Sequence, residues 1–168
     1  MKRRFFLLSG LAALGAAIWW WPRRWRYIVV HHSAGGSGDM ALLKRVHRER
    51  QPNDPLDMVP YHFVIGNGRG MEMGQVVATE RWTRELWGAH VRGVERNVNG
   101  IGVCLIGNFE DGPVPEGQYQ ALLELVTSLM EEHRIRPNRV SLHGQTPGEQ
   151  TLCPGRNFPA ERFFQDIG

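Results

Sequence analysis

Hydrophobic and polar positions divide the chain after residue 24 into alternating strands and helices. YIVVHHS (27–33) and GIGVCLIG (100–107) are apolar and rich in β-branched residues, which predicts two buried strands, the second of them central. YHFVI (61–65) and MEMGQVV (71–77) flank a glycine-rich GNGRG turn and predict a hairpin. RVSLHG (139–144) predicts one further short strand.

Three helices are predicted between and after these strands. Asp39 is a suitable N-cap for a helix that runs to about Arg50. Pro115 begins a second helix, whose apolar positions recur with helical spacing to about His133. PAERFFQDI predicts a closing helix. The pattern predicts an α/β fold: a single domain with a central mixed β-sheet flanked by helices.

The first 24 residues differ from the rest in composition. A basic start, MKRR, precedes 17 residues without a charge (5–21) and then PRRWR. This order is typical of a secretory signal with cleavage after Ala17, or of a short membrane anchor. RRFFL also resembles the twin-arginine export signal. We therefore expect an apolar leader helix over residues 1–24, a domain over residues 25–168 and an exported protein.

The net positive charge of the chain comes from this leader. The whole sequence has 20 basic and 17 acidic residues, a net charge of +3. Five of the basic residues lie in the leader, so the remainder has 15 basic and 17 acidic residues and carries −2. A domain with this balance has no general basic character, which argues against nucleic acid as a partner.

The two cysteines have different surroundings. Cys104 lies in the apolar central strand, whereas Cys153 lies in a loop before Pro-Gly, and nothing in their spacing suggests that they meet. His31 ends the first strand and His143 follows the short strand VSL, where open α/β sheets place their ligands. Side chains alternate along a strand, so His32 must face away from His31.

His31, His143 and Cys153 therefore form a candidate His₂Cys set. Zinc takes such ligands, and three protein ligands leave a fourth position open for catalysis. A single exposed histidine is more often an ordinary surface residue than a metal ligand, and a single cysteine is more often a core residue than a metal ligand. From spacing alone these alternatives remain open.

Five motifs that are separated along the chain give further information on function. They are YIVVHHSA, PYHFVIGNGR, GAH, NVNGIGVCLIGNFED and HGQTPGEQTLCPG, in that order from about residue 26 to 160. The series resembles the zinc-dependent N-acetylmuramoyl-L-alanine amidases, which include the amidase-type phage lysozymes and the peptidoglycan recognition proteins. The resemblance implies a zinc ion held by His31, His143 and Cys153, and a catalytic role for Tyr61.

The same resemblance implies roles for four other residues. Thr151 stands where many bacterial and phage members have lysine and where amidase-active recognition proteins have threonine, so its hydroxyl would be a weaker electrostatic donor. His90 matches a position that lines the substrate groove. Asn97 either contacts the stem peptide or caps the turn before the central strand. Cys104 stands where some cytoplasmic members carry a glutamate that acts as the general base. Without that glutamate, the role of the general base would fall to Tyr61 or to the zinc-bound water.

The implied function is zinc-dependent hydrolysis of the amide between N-acetylmuramic acid and L-alanine in peptidoglycan. The alternative is a non-catalytic peptidoglycan-binding module, but family members of that kind typically lack the metal cysteine. A cytoplasmic enzyme that trims soluble muropeptides conflicts with the leader. We expect a monomer whose partner is the glycan-linked stem peptide, periplasmic or membrane-anchored facing the cell wall, with the N-terminal segment as the means of membrane association.

Overall fold

Five strands build one mixed sheet in the computed structural model, which describes residues 24–168. They are β1 (Tyr27–His32), β2 (Phe63–Ile65), β3 (Val76–Ala78), β4 (Gly100–Leu105) and β5 (Val140–Leu142). Their order across the sheet is β3-β2-β4-β1-β5. Among these strands β2 and β3 pair antiparallel, and the other neighbours are parallel. The predicted α/β class and central mixed sheet are confirmed, whereas the leader helix lies outside the described residues.

The predicted helices are present near their predicted bounds. They are α1 (Met40–Arg50), α4 (Glu116–His133) and α5 (Ala160–Asp166). The carboxylate of Asp39 accepts a hydrogen bond from the backbone N–H of Leu42 at 2.8 Å, which confirms the N-cap. Two further helices, α2 (Glu80–Thr83) and α3 (Val94–Val98), were not predicted, because four or five residues are too few to show a helical period.

The predicted hairpin has shorter strands and a longer loop than the sequence suggested. Pairing is limited to residues 63–65 and 76–78 instead of 61–65 and 71–77. Gly68 and Gly70 have positive φ angles, +83° and +97°, and turn the backbone away from the ladder. The segment between the strands is therefore a loop held by its own backbone hydrogen bonds, such as the one from Gly66 N–H to Gln75 O at 2.9 Å.

Side chains alternate along β1 and β4 and give the sheet two different faces. On one face Ile28 and Val30 join the larger apolar cluster, which packs against α4 and α5. On the other face Cys104 packs with Leu43 of α1 in a smaller cluster. His31 pairs with Cys104 in the parallel register and therefore lies on the α1 face, at the carboxyl end of its strand.

A buried ion network fixes the loops beside this end of the sheet. The Asp54 carboxylate lies 2.7 Å from His47 Nε2 and pairs with the guanidinium of Arg81. Arg81 is fully buried and also donates to the carbonyls of Val59 at 2.8 Å and Trp87 at 2.6 Å. A buried charge that is paired and hydrogen-bonded on several sides holds its surroundings in one arrangement. The segments around residues 54–59 and 87 are thereby tied together.

Candidate metal centre

The three predicted metal ligands come together at the carboxyl ends of β1 and β5. One donor atom each from His31, His143 and Cys153 lies within 4.8 Å of the other two. His31 is 1% exposed and Cys153 is 8% exposed, so these two donors lie at the floor of the site, whereas His143 is partly exposed. Val30 pairs with Leu142 across the two strands, which brings the next residues, His31 and His143, side by side.

A glycine brings Cys153 to the two histidines. The N–H of Gly144 donates to the carbonyl of Cys153 at 2.8 Å. A Cβ at Gly144 would lie 2.4 Å from the carbonyl oxygen of Thr151, so only glycine lets the 151–153 segment pass this close. The backbone N–H of His32 donates to Cys153 Sγ at 3.3 Å. Such N–H···S contacts orient a cysteine and favour its thiolate form.

The neighbouring histidines of β1 face opposite sides, as predicted. The ring of His32 turns towards Phe109, whose backbone N–H donates to His32 Nδ1 at 3.3 Å. The ring of His31 turns towards His143, with ring centroids 4.4 Å apart. Only His31 therefore contributes an imidazole to the metal centre, while His32 contributes its backbone N–H.

His90 is a direct neighbour of a predicted ligand. Its Nδ1 atom lies 3.0 Å from Nε2 of His31. The His90 ring fits between two glycines, because a Cβ at Gly88 or at Gly102 would approach within 2.3 Å or 2.6 Å of its Cδ2 atom. His90 is 6% exposed. The structure thus places it behind His31, and its contact with substrate stays a prediction.

Asn97 holds the backbone that carries His90. Its Oδ1 atom accepts from the N–H groups of His90 at 3.0 Å and Val91 at 3.2 Å, and its Nδ2 atom donates to the Val91 carbonyl at 2.7 Å. The side chain spans from α3 to the preceding loop instead of capping the turn before β4. Contact between Asn97 and a stem peptide stays a prediction.

Glu149 is a residue of the site that sequence reasoning missed. Its carboxylate lies 3.1 Å from Nε2 of His143, and its side chain is only 5% exposed. The same carboxylate accepts a hydrogen bond from the backbone N–H of Arg92. A carboxylate beside a ligand histidine is a common companion of metal sites. The signal available in the sequence was an acidic residue between the His143 and Cys153 ligands.

Tyr61 lies at the wall of the site with its hydroxyl turned inwards. Its ring centroid is 5.1 Å from that of His31. The residue is partly exposed, and burial, together with the thiols of Cys104 and Cys153, raises the pKa of Tyr61 well above its ordinary value. The hydroxyl is therefore a protonated donor near neutral pH. Both cysteines are free, as predicted, although the structure brings them to the same side of the sheet.

Thr151 is exposed, and its hydroxyl oxygen accepts a hydrogen bond from the backbone N–H of Cys153 at 3.1 Å. The contact forms a local turn that fixes the cysteine. The hydroxyl proton remains available for a second partner, since a hydroxyl can accept and donate at once. A catalytic role for Thr151 stays a prediction.

The protonation states of the donors suit a metal ion. Burial lowers the pKa of His31 well below its usual value and also lowers the pKa of His143, so both imidazoles are neutral and carry a free lone pair. Burial raises the pKa of the Cys153 thiol to about 12, so the thiol holds its proton until a cation replaces it. Two neutral imidazoles and one sulfur are a donor set that fits zinc.

A groove leads from the donor set across the surface. A cavity of 180 Å³ is bordered by Tyr61, His90 and His143. A second pocket of 640 Å³ shares part of its lining with the first at the end of α1 and the loop before His90, and it extends to Trp87 and Val94. Trp87 is 43% exposed and Val94 is 75% exposed. The open form of the groove suits an extended ligand better than a small enclosed one.

Comparisons with known proteins identify the family of the chain. The profile of the family described as N-acetylmuramoyl-L-alanine amidase matches residues 21–156. A peptidoglycan-recognition protein of Drosophila simulans is 28% identical over 139 residues, which cover 79% of this chain and 70% of that protein.

Solved structures are similar over most of the described domain. The N-acetylmuramoyl-L-alanine amidase LysC from Clostridium intestinale URNW aligns with a TM-score of 0.72 and 25% identity, over 87% of each chain. The Drosophila peptidoglycan recognition protein SA aligns with a TM-score of 0.59 and 26% identity, over 83% of this chain and 78% of that one.

The glycine cradle of His90 leads to a testable prediction. We expect Gly102→Ala to lower the free energy of unfolding by about 1–3 kcal/mol, because the new methyl group would overlap the His90 ring in a packed core. Gly36→Ala is the matched control, since a Cβ at Gly36 would meet nothing within 4 Å and should leave stability nearly unchanged. Urea unfolding of both variants measures the difference. Equal stability of the two variants would show that the ring is not confined by Gly102.

Proposed function

The chain belongs to the N-acetylmuramoyl-L-alanine amidase family, and from this premise we propose that it is a zinc-dependent hydrolase. It would cut the amide bond between N-acetylmuramic acid and the L-alanine of the stem peptide in peptidoglycan. The observation that carries the proposal is the convergence of His31, His143 and Cys153 at the floor of an open groove, beside the Tyr61 hydroxyl. A binding module needs the groove but has no use for this donor set.

Each proposed ligand has a partner that supports its orientation. His31 is backed by His90, His143 by Glu149, and the Cys153 sulfur by the backbone N–H of β1. If His31 binds the metal through Nδ1, its Nε2 atom must carry the proton and donate it to His90 Nδ1. Fixing the tautomer and the ring angle of a ligand in this way strengthens metal binding.

The chemistry divides between the metal and the side chains. When bound, zinc polarises the carbonyl of the scissile amide and lowers the pKa of water from 15.7 towards about 7. Tyr61 would donate a hydrogen bond to the negative charge that develops on the carbonyl oxygen, and its raised pKa keeps the proton on the hydroxyl. The Thr151 hydroxyl, two residues before Cys153, is a second donor at the same rim.

The groove gives the polymer access to this centre. In our proposal the stem peptide and its sugar lie along the two joined pockets, with the scissile amide over the donor set. Trp87 and Val94 offer exposed apolar contact area beside the polar end of α1. The export signature of residues 1–24 supports a location at the cell wall, where this polymer is found.

The proposed function is tested by digestion of purified sacculi. We expect the full chain to release stem peptides with a new L-alanine amino terminus, detected by mass spectrometry, and a chelator to abolish release. The protein should contain about one zinc, and Cys153→Ser should lose most of it because a ligand is removed. Tight binding to sacculi without release, with or without added zinc, would make the chain a wall-recognition module instead.

The donor role of Tyr61 gives a second prediction. Tyr61→Phe should lower kcat by about 10²–10³-fold, because one hydrogen bond to the developing oxyanion is lost. Its zinc content should be unchanged, since the hydroxyl is not a ligand. Initial rates of stem-peptide release and metal analysis on the same preparation check both parts. Full activity in a zinc-loaded Tyr61→Phe protein would disprove the role.

A third prediction separates the two possible roles of His90. Replacing it with phenylalanine keeps a ring but removes the acceptor for His31, so zinc affinity should fall by about 10–100-fold. His90→Gln, which restores an acceptor, should recover part of the loss. Competition with a chromophoric chelator measures the affinity, and His133→Phe, on α4, is the control. A raised KM with unchanged zinc affinity would instead assign His90 to the substrate.

A further inference from the structure

A third pocket lies at the opposite end of the sheet from the candidate metal centre. It has a volume of 540 Å³ and is lined by four arginines, Arg26, Arg134, Arg136 and Arg139, here called the basic face. All four side chains are exposed, and they come from two separate segments of the chain. Glu132 is the acidic residue in the lining of this pocket.

The basic face contrasts with the charge of the domain around it. Residues 25–168 contain 15 basic and 17 acidic residues, a net charge of −2, yet four of those basic residues surround one opening. The side chains of Arg134 and Arg136 make no hydrogen bond or ion pair with the residues that the structure describes. A basic residue after the end of α4 is expected from the helix dipole. Arg139 donates to the Tyr27 hydroxyl at 2.8 Å, and the guanidiniums of Arg26 and Arg139 lie 6.0 and 5.1 Å from the Tyr27 ring centroid, so these two are held beside the opening by a local contact.

The polarity of the strands fixes the direction in which the basic face points. Arg26 and Arg139 immediately precede the parallel strands β1 and β5, whereas His31 and His143 lie at their other ends. At about 3.3 Å per residue, the six-residue β1 separates the two ends by nearly 20 Å. In the sequence the apolar run 5–21 comes shortly before Trp25, and Trp25 itself lines the pocket.

We propose that the basic face docks on the anionic headgroups of a phospholipid bilayer. Clusters of about four to eight basic residues next to a membrane-inserting segment attract anionic lipid, and the attraction acts within about one Debye length. Docking by this face turns the metal centre away from the bilayer. The inference is independent of the proposed amidase activity. No described helix is long and apolar enough to cross a membrane.

Hydrogen–deuterium exchange of the full chain in lipid nanodiscs tests the proposal. The leader is present in every sample, so the comparison between neutral and anionic lipid isolates the effect of headgroup charge. We expect slower exchange of residues 133–139 and 24–27 in anionic nanodiscs than in neutral ones. The difference should disappear at high salt, because screening weakens the attraction.

A double substitution and its matched control assign the effect to the basic face. Arg134→Gln with Arg136→Gln should lose the added protection. Arg45→Gln with Arg69→Gln removes the same charge from exposed positions on α1 and in the hairpin loop, and it should keep the protection. Equal exchange in neutral and anionic nanodiscs would overturn the proposal. Protection reproduced in neutral nanodiscs by inorganic phosphate alone would also overturn it, in favour of a site for free anions.

Discussion

The parallel pairing of β1 with β4 and β5 fixes the positions of the two histidine donors in the candidate metal centre. In this register His31 lies opposite Cys104, and Val30 opposite Leu142 places His143 beside His31. A shift of β1 by one residue would present the His32 ring to the site and bury His31 under α4. The register is secured by the alternating apolar residues on both faces, so the same packing that stabilises the sheet also selects the ligand.

Much of this arrangement can be predicted from the sequence, because it depends on the local pattern of apolar and polar residues. Apolar runs locate the strands, and a histidine after a strand marks the end of the sheet where ligands collect. The contacts that support the proposed ligands cannot be predicted in this way. Glu149 reaches His143 only because of a loop conformation, and Asn97 acts on His90 across a turn. The four arginines of the basic face are separated by up to 113 positions, and only the completed fold brings them together.

Burial decides which groups of the site hold protons. The pKa of the Cys104 thiol is raised well above its usual value, first by burial and then by the nearby Cys153. Cys104 is therefore a neutral thiol and no substitute for a glutamate base, and the Tyr61 hydroxyl beside it is equally protonated. Of the acidic residues in the described chain, Glu149 is the one within 4 Å of a proposed ligand, and it is shared between His143 and the backbone of Arg92. In the proposed reaction the hydroxyls of Tyr61 and Thr151 would donate to the scissile amide, and Glu149 would accept the proton released by the attacking water.

The two ends of a parallel sheet are chemically different. In our proposals, one end of the sheet in this chain holds the metal centre and the other end contacts the membrane. Strand carboxyl ends gather the donors, because the loops that follow β1 and β5 start there. Strand amino ends gather Arg26 and Arg139, because each stands directly before its strand. A chain that enters β1 from a membrane must have its basic face next to the bilayer and its metal centre on the far side. In our proposals the fold then directs the groove towards a polymer outside the membrane.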